Sequence, residues 1–100
     1  MDQRMLQKLL ADARKSKELF DKKMSELEKE TFSVSIGGGL IEMAANGRYE
    51  ITSCTLNENA LADKETLEDL IITATNDLIQ KINAKVKQIE TELVPKKAAF

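Results

Sequence analysis

The side chains able to perform chemistry are few in this 100-residue sequence. There is no histidine, so the usual general base and the commonest metal ligand are both missing. The single thiol, Cys54, lies in a strand-like segment with no cationic neighbour to lower its pKa, and reads as a small apolar core residue rather than a nucleophile. Carboxylates such as Glu68 and Asp69 are adjacent on a helical stretch, where side chains diverge by about 100°, so they read as a solvated face and not as an acid–base pair. Gly37-Gly38-Gly39 leads into Leu40-Ile41-Glu42-Met43 without the Gly-Lys-Ser/Thr and helix of a phosphate loop, which points to a bend or bulge. No catalytic set, cofactor site or metal site is therefore expected.

Charge is the more informative pattern. Fifteen Lys and Arg stand against seventeen Asp and Glu, a net charge of −2 that disfavours indiscriminate attraction of the whole chain to nucleic acid or membrane. The charges are nevertheless segregated. Residues 1–29 carry eight basic and six acidic groups, residues 30–80 two and nine, and residues 81–100 five and two. Lys8, Lys15, Lys22 and Lys29 repeat every seven residues, roughly opposite the apolar stripe of the same segment, with Asp12, Glu18 and Glu26 near enough to pair with Lys8 and Lys22. Lys81, Lys85 and Lys87 follow in the last helical segment, and Lys96 and Lys97 come after Pro95. These are the groups that could neutralise a polyanion.

The elements that must position them follow from periodicity. Leu6, Leu10, Ala13, Phe20, Met24 and Leu27 have the 3–4 spacing of a long amphipathic helix over 2–29, uninterrupted by Gly or Pro. Residues 30–56 turn to β-rich composition: Phe32 to Ile36 alternates as a strand, a second strand follows the glycines, and a third runs near Tyr49 to Leu56. Asn46-Gly47 is a hairpin signal because both residues tolerate positive φ, but a two-residue turn would mismatch the apolar faces, so a longer loop or a bulge is expected. Asp63 is a plausible N-cap for a second long helix over 63–94, with the stripe Leu67, Ile71, Ala74, Leu78, Ile82, Val86, Ile89 and Leu93, and Pro95 begins a tail over 95–100.

The expected fold is thus α+β, a single domain of long helix, three-stranded antiparallel sheet and long helix. Three strands span only about 15 Å, too little to cover two helices of about 40 Å. Helix stripes left over call for a homodimer with projecting, tweezer-like helices. No apolar run approaches a membrane span, the N-terminus lacks the layout of a signal peptide, and a lone cysteine suits a reducing cytoplasm.

The order of elements, together with Gly37-Gly38-Gly39-Leu40-Ile41, Asn46-Gly47, and the run from Lys64 through Glu68-Asp69-Leu70-Ile71 to Ala74-Thr75-Asn76-Asp77, resembles the YbaB/EbfC family of bacterial nucleoid-associated proteins. The resemblance covers about residues 3–90. It implies a non-enzymatic homodimer in the cytoplasm and nucleoid that binds duplex DNA with modest sequence preference, organises the nucleoid and modulates transcription. Contacts to DNA would come from cations of the projecting helices and tail: Lys8, Lys15, Lys22, Lys81, Lys85, Lys96 and Lys97. Glu68, Asp69, Asn76 and Asp77 would serve as caps or buried hydrogen-bonding groups. The competing reading is a protein-interaction module that partners a replication or recombination factor through its helix stripes and sheet edge.

Overall fold

A computed structural model describes residues 2–93. Helix α1 runs Gln3–Lys29, strands β1, β2 and β3 are Thr31–Ile36, Ile41–Asn46 and Ile51–Leu56, a short 3-10 turn occupies Glu58–Ala62, and helix α2 is Lys64–Leu93. The strands form one antiparallel sheet in the order β1-β2-β3. Asp2 caps α1, its carboxylate accepting from the Arg4 amide at 3.2 Å. Asp63 caps α2 in the expected way, accepting from the Glu65 amide at 3.2 Å and the Thr66 hydroxyl at 2.6 Å.

The two hairpins are built differently. Between β1 and β2, Gly37, Gly38 and Gly39 take φ of 66°, 68° and 94°, a run of left-handed conformations that side-chain-bearing residues resist. The strands then pair without slippage from Ile36↔Ile41 to Thr31↔Asn46. Between β2 and β3 the connection is equally four residues long, but the register slips, with Ala44 opposite Ser53 and Ala45 opposite Ile51, the bulge that the apolar mismatch calls for. The Asn46-Gly47 pair does not supply positive φ, however; that conformation falls on Tyr49, at 64°. Asn46 instead organises the loop with its side chain, whose oxygen accepts from the Arg48 amide at 2.8 Å and the Glu50 amide at 3.2 Å.

The core lies between one face of the sheet and the first two-thirds of α2. Val34, Ile41, Met43 and Ala45 meet Leu70, Ala74, Leu78 and Ile82, with Ala60 of the 3-10 turn closing one end. Ile41, Leu78 and Ile82 are essentially inaccessible, each worth about 1.5–3 kcal/mol of apolar burial. Helix α2 crosses β1 and β2, and every residue of β3 remains exposed. Cys54 is accordingly exposed and is not a core residue, because the helix that would bury it stops one strand short. Glu68, Asp69 and Asn76 are also exposed and Asp77 is half-buried, and no polar residue is buried among the described residues, so the buried hydrogen-bonding role is not found.

Candidate functional site

The molecule measures 71 × 27 × 16 Å, although neither helix exceeds about 45 Å. The length comes from the way the helices overlap. α1 arrives at the sheet with Leu27 buried, while α2 leaves the sheet after Ile82, so the two run antiparallel and share only their C-terminal turns. Lys23, Glu26 and Leu27 of α1 face Lys85, Ile89 and Glu92 of α2 across a shallow groove. Farther out, α1 extends as a single helix: every residue from Gln3 to Leu19 is exposed, whereas Phe20 and Met24 are half-buried.

This uncovered arm carries the charge. Between Gln3 and Leu19 stand Arg4, Lys8, Arg14, Lys15 and Lys17 against Asp12 and Glu18, a surplus of three positive charges. The head, residues 30–80, has two basic and nine acidic groups. Charge is thus polarised along the long axis, with the positive end where phosphates could approach from several sides.

The lysines singled out by spacing fall into different environments. Lys8, Lys15 and Lys22 are exposed on one line of α1, at intervals of about 10 Å, with Lys8 and Lys15 on the free arm and Lys22 beside its root. Lys81 is tied elsewhere: its ammonium donates to the Ser33 carbonyl at 2.7 Å, occupying an acceptor of the edge strand β1. Lys85 is half-buried in the groove between the helices. Lys96 and Lys97 lie outside the described residues. The structure therefore brings Lys8, Lys15 and Lys22 together and sets Lys81 and Lys85 apart from them.

Ion pairing leaves most of the arm available. Among the described residues the ion pairs are Lys17–Asp21 at 2.9 Å and Arg48–Glu50 at 4.0 Å, so the pairing of Lys8 and Lys22 with nearby carboxylates is not formed. The hydrogen bond from Lys17 to the Asp21 carboxylate holds that ammonium's pKa above its ordinary value. Arg4 and Arg14 were missed by attention to lysines repeating every seven residues. Counting every cation on the stretch of helix that the sheet cannot cover would have found them.

At the root of the arm three elements meet. Gly47 is buried against the last turn of α1, and the Tyr49 hydroxyl donates to the Asn83 side-chain oxygen of α2. The β2–β3 loop thereby touches both helices where they diverge. On the opposite side of the head an apolar surface is left open, with Ile51 and Leu56 of β3 and Ile71, Ile72 and Ile79 of α2 exposed. Lys81, on the opposite flank of α2, reaches the Ser33 carbonyl of β1, so the flank that carries Ile72, Thr75 and Ile79 is turned toward the β3 side. No helix of the described residues is long and apolar enough to cross a membrane, and no cluster of candidate metal ligands occurs among them.

Comparison with known proteins bears on this arrangement. A family model described as the YbaB/EbfC DNA-binding family matches residues 2–97. A nucleoid-associated protein of Campylobacter lari is 36% identical over 75 residues, covering 71% of this chain and 74% of that protein. A nucleoid-associated protein of Ruminiclostridium cellulolyticum is also 36% identical over 75 residues, covering 73% of this chain and 65% of its own length. Among solved structures, an uncharacterized protein from Helicobacter pylori superposes with a TM-score of 0.75 over 95% of this chain and 99% of its own, at 22% identity, a likeness of fold.

Proposed function

The chain belongs to the YbaB/EbfC DNA-binding family, and from that premise we propose that it is a nucleoid-associated protein that grips duplex DNA with the free arm of α1. The surplus of three cations on an arm that stays exposed among the described residues is the observation that carries this reading. A straight line of lysines meets phosphates and not base edges, so affinity is governed by counterion release and sequence preference is slight. Lys8, Lys15 and Lys22 would lie along the backbone, with Arg4 and Arg14 extending the contact around the helix. Lys81 and Lys85 would contribute through the field of the protein, Lys96 and Lys97 through direct contact from the tail. The acidic head is held away from the duplex by the same polarity that draws the arm in.

The protein would act as a homodimer. The open surface of Ile51, Leu56, Ile71, Ile72 and Ile79 is of the kind that a second copy covers, and its self-association would present two arms from one body. Binding of this kind, spread along chromosomal DNA in the cytoplasm, would organise the nucleoid and modulate transcription without any catalytic step.

Replacing Lys8, Arg14 and Lys15 by glutamine tests the assignment. If each meets one phosphate on both arms of the dimer, six contacts are lost and the slope of log affinity against log salt should become shallower by about five. An unchanged slope would remove the arm from the DNA interface.

A further inference from the structure

We propose that Tyr49 and Asn83 are positioning residues for DNA binding: the hydrogen bond between them fixes the direction in which α1 leaves the head, and so where its cations meet the duplex. The proposal rests on the function given above and adds to it the device that aims the arm. Such a device is needed because α1 has a narrow footing. A single residue, Glu30, joins it to β1. Leu27 is its buried residue, and only Phe20 and Met24 are half-buried beyond it. From Leu27 the helix runs about 34 Å to Arg4, so a tilt of about 10° at Leu27 carries Arg4 sideways by about 6 Å. That is nearly twice the axial rise of about 3.4 Å between successive phosphates of one strand.

The β2–β3 loop is the element that spans both helices. Gly47 lies against the backbone of Leu27 in α1, and two residues later the Tyr49 hydroxyl donates to the Asn83 side-chain oxygen in α2. The turn between these contacts is tied from within: the Tyr49 amide donates to the Asn46 carbonyl at 3.1 Å, and the Asn46 side-chain nitrogen donates to the Glu50 carboxylate at 2.8 Å. Gly47 and Tyr49 therefore move as one piece, and a pull on Asn83 is felt at Leu27. Backbone conformation marks the same residue. Tyr49 holds a φ of 64°, which suits glycine and strains a side chain, whereas Gly47 takes no positive φ. A glycine at position 49 would turn the chain without strain but would not reach Asn83. What Tyr49 supplies at that cost is its reach to α2.

Both side chains are exposed, so the bond can be removed while the core is left alone. Residual dipolar couplings of backbone amides in the weakly aligned, DNA-free protein read the direction of α1 against the sheet and α2. In Tyr49→Phe and in Asn83→Ala the couplings from Leu9 to Leu19 should shrink or reorient while those of the sheet and α2 keep their values. Asn83→Asp retains an acceptor for the hydroxyl and should keep the original couplings throughout. Tyr49→Phe should also weaken duplex binding about fivefold with an unchanged salt slope, because every cation is still present and only its aim is lost. Unchanged α1 couplings in both variants, couplings lost from the sheet as well as from α1, or a redirected arm that binds duplex as tightly as before would overturn the proposal. A protein that bound no duplex even with Tyr49 and Asn83 intact would refute the function above instead, and the couplings alone would then decide whether this pair aims the arm.

Discussion

Gly47 lies so close to Leu27 that a β-carbon in its place would fall 1.9 Å from the Leu27 carbonyl oxygen. The same carbonyl accepts from the Glu30 amide at 3.0 Å as α1 ends, so backbone stands on both sides of the contact and neither side can yield as a flexible side chain would. This approach lets the β2–β3 loop seat the last turn of α1. Gly47→Ala should destabilise the protein by about 2 kcal/mol or more, a drop in melting midpoint on the order of 10 °C. Thermal unfolding followed by circular dichroism would check it; a shift within a degree or two would mean that the helix end can be displaced freely.

Tyr49 completes the same joint from the other side. Its hydroxyl donates to Asn83, and its φ of 64° already costs a non-glycine residue something. Tyr49→Phe should lose about 1 kcal/mol, the usual worth of a hydrogen bond, and Asn83→Ala in the Phe variant should add little beyond its own helix propensity change. Denaturant melts of the two single variants and the double variant would measure that coupling.

Lys81 and Lys8 should respond in opposite ways. Lys81→Met removes the donor to the Ser33 carbonyl and should cost about 1 kcal/mol of stability, with the salt slope of DNA binding nearly unchanged. Lys8→Met should leave stability within about 0.5 kcal/mol and make that slope shallower by about two, one for each arm of the dimer. Paired denaturation and salt-series titrations of the two variants separate the roles.

For the head, Ile72→Glu with Ile79→Glu places two charges on the open apolar surface while sparing the core, since both side chains are exposed, at 58 and 39%. A protein that pairs through this face should fall to half its mass at micromolar concentration and lose the concentration dependence of its melting midpoint. Sedimentation at several concentrations would register both effects.

Much of this architecture was legible in the residues because one repeat dominated each stretch. The 3–4 spacing from Leu6 to Leu27, the alternation from Phe32 to Ile36 and the Asp63 cap each follow from a local rule. What was not legible depended on which element reached how far. Cys54 belongs to a strand with a core-like pattern, and only the path of α2 over β1 and β2 decides that it stays exposed. Gly47 carries a local hairpin signal, yet its smallness answers a residue twenty positions earlier. In the candidate interface, the line of Lys8, Lys15 and Lys22 was visible from spacing. The engagement of Lys81 with Ser33 was not, because it crosses 48 residues of sequence.

The uncovered stretch of α1 from Gln3 to Leu19 has a thermodynamic consequence. Helices of this length are marginal alone in water, and most helical stability in proteins comes from packing that this stretch lacks among the described residues. Amide exchange should therefore quicken steadily from Leu27 outward to Arg4, and a bound duplex should slow it most at the outer end. The arm's grip and its winding would then be one equilibrium. A substitution that raises intrinsic helicity at an outward position, such as Ser16→Ala, should tighten binding without touching the ligand.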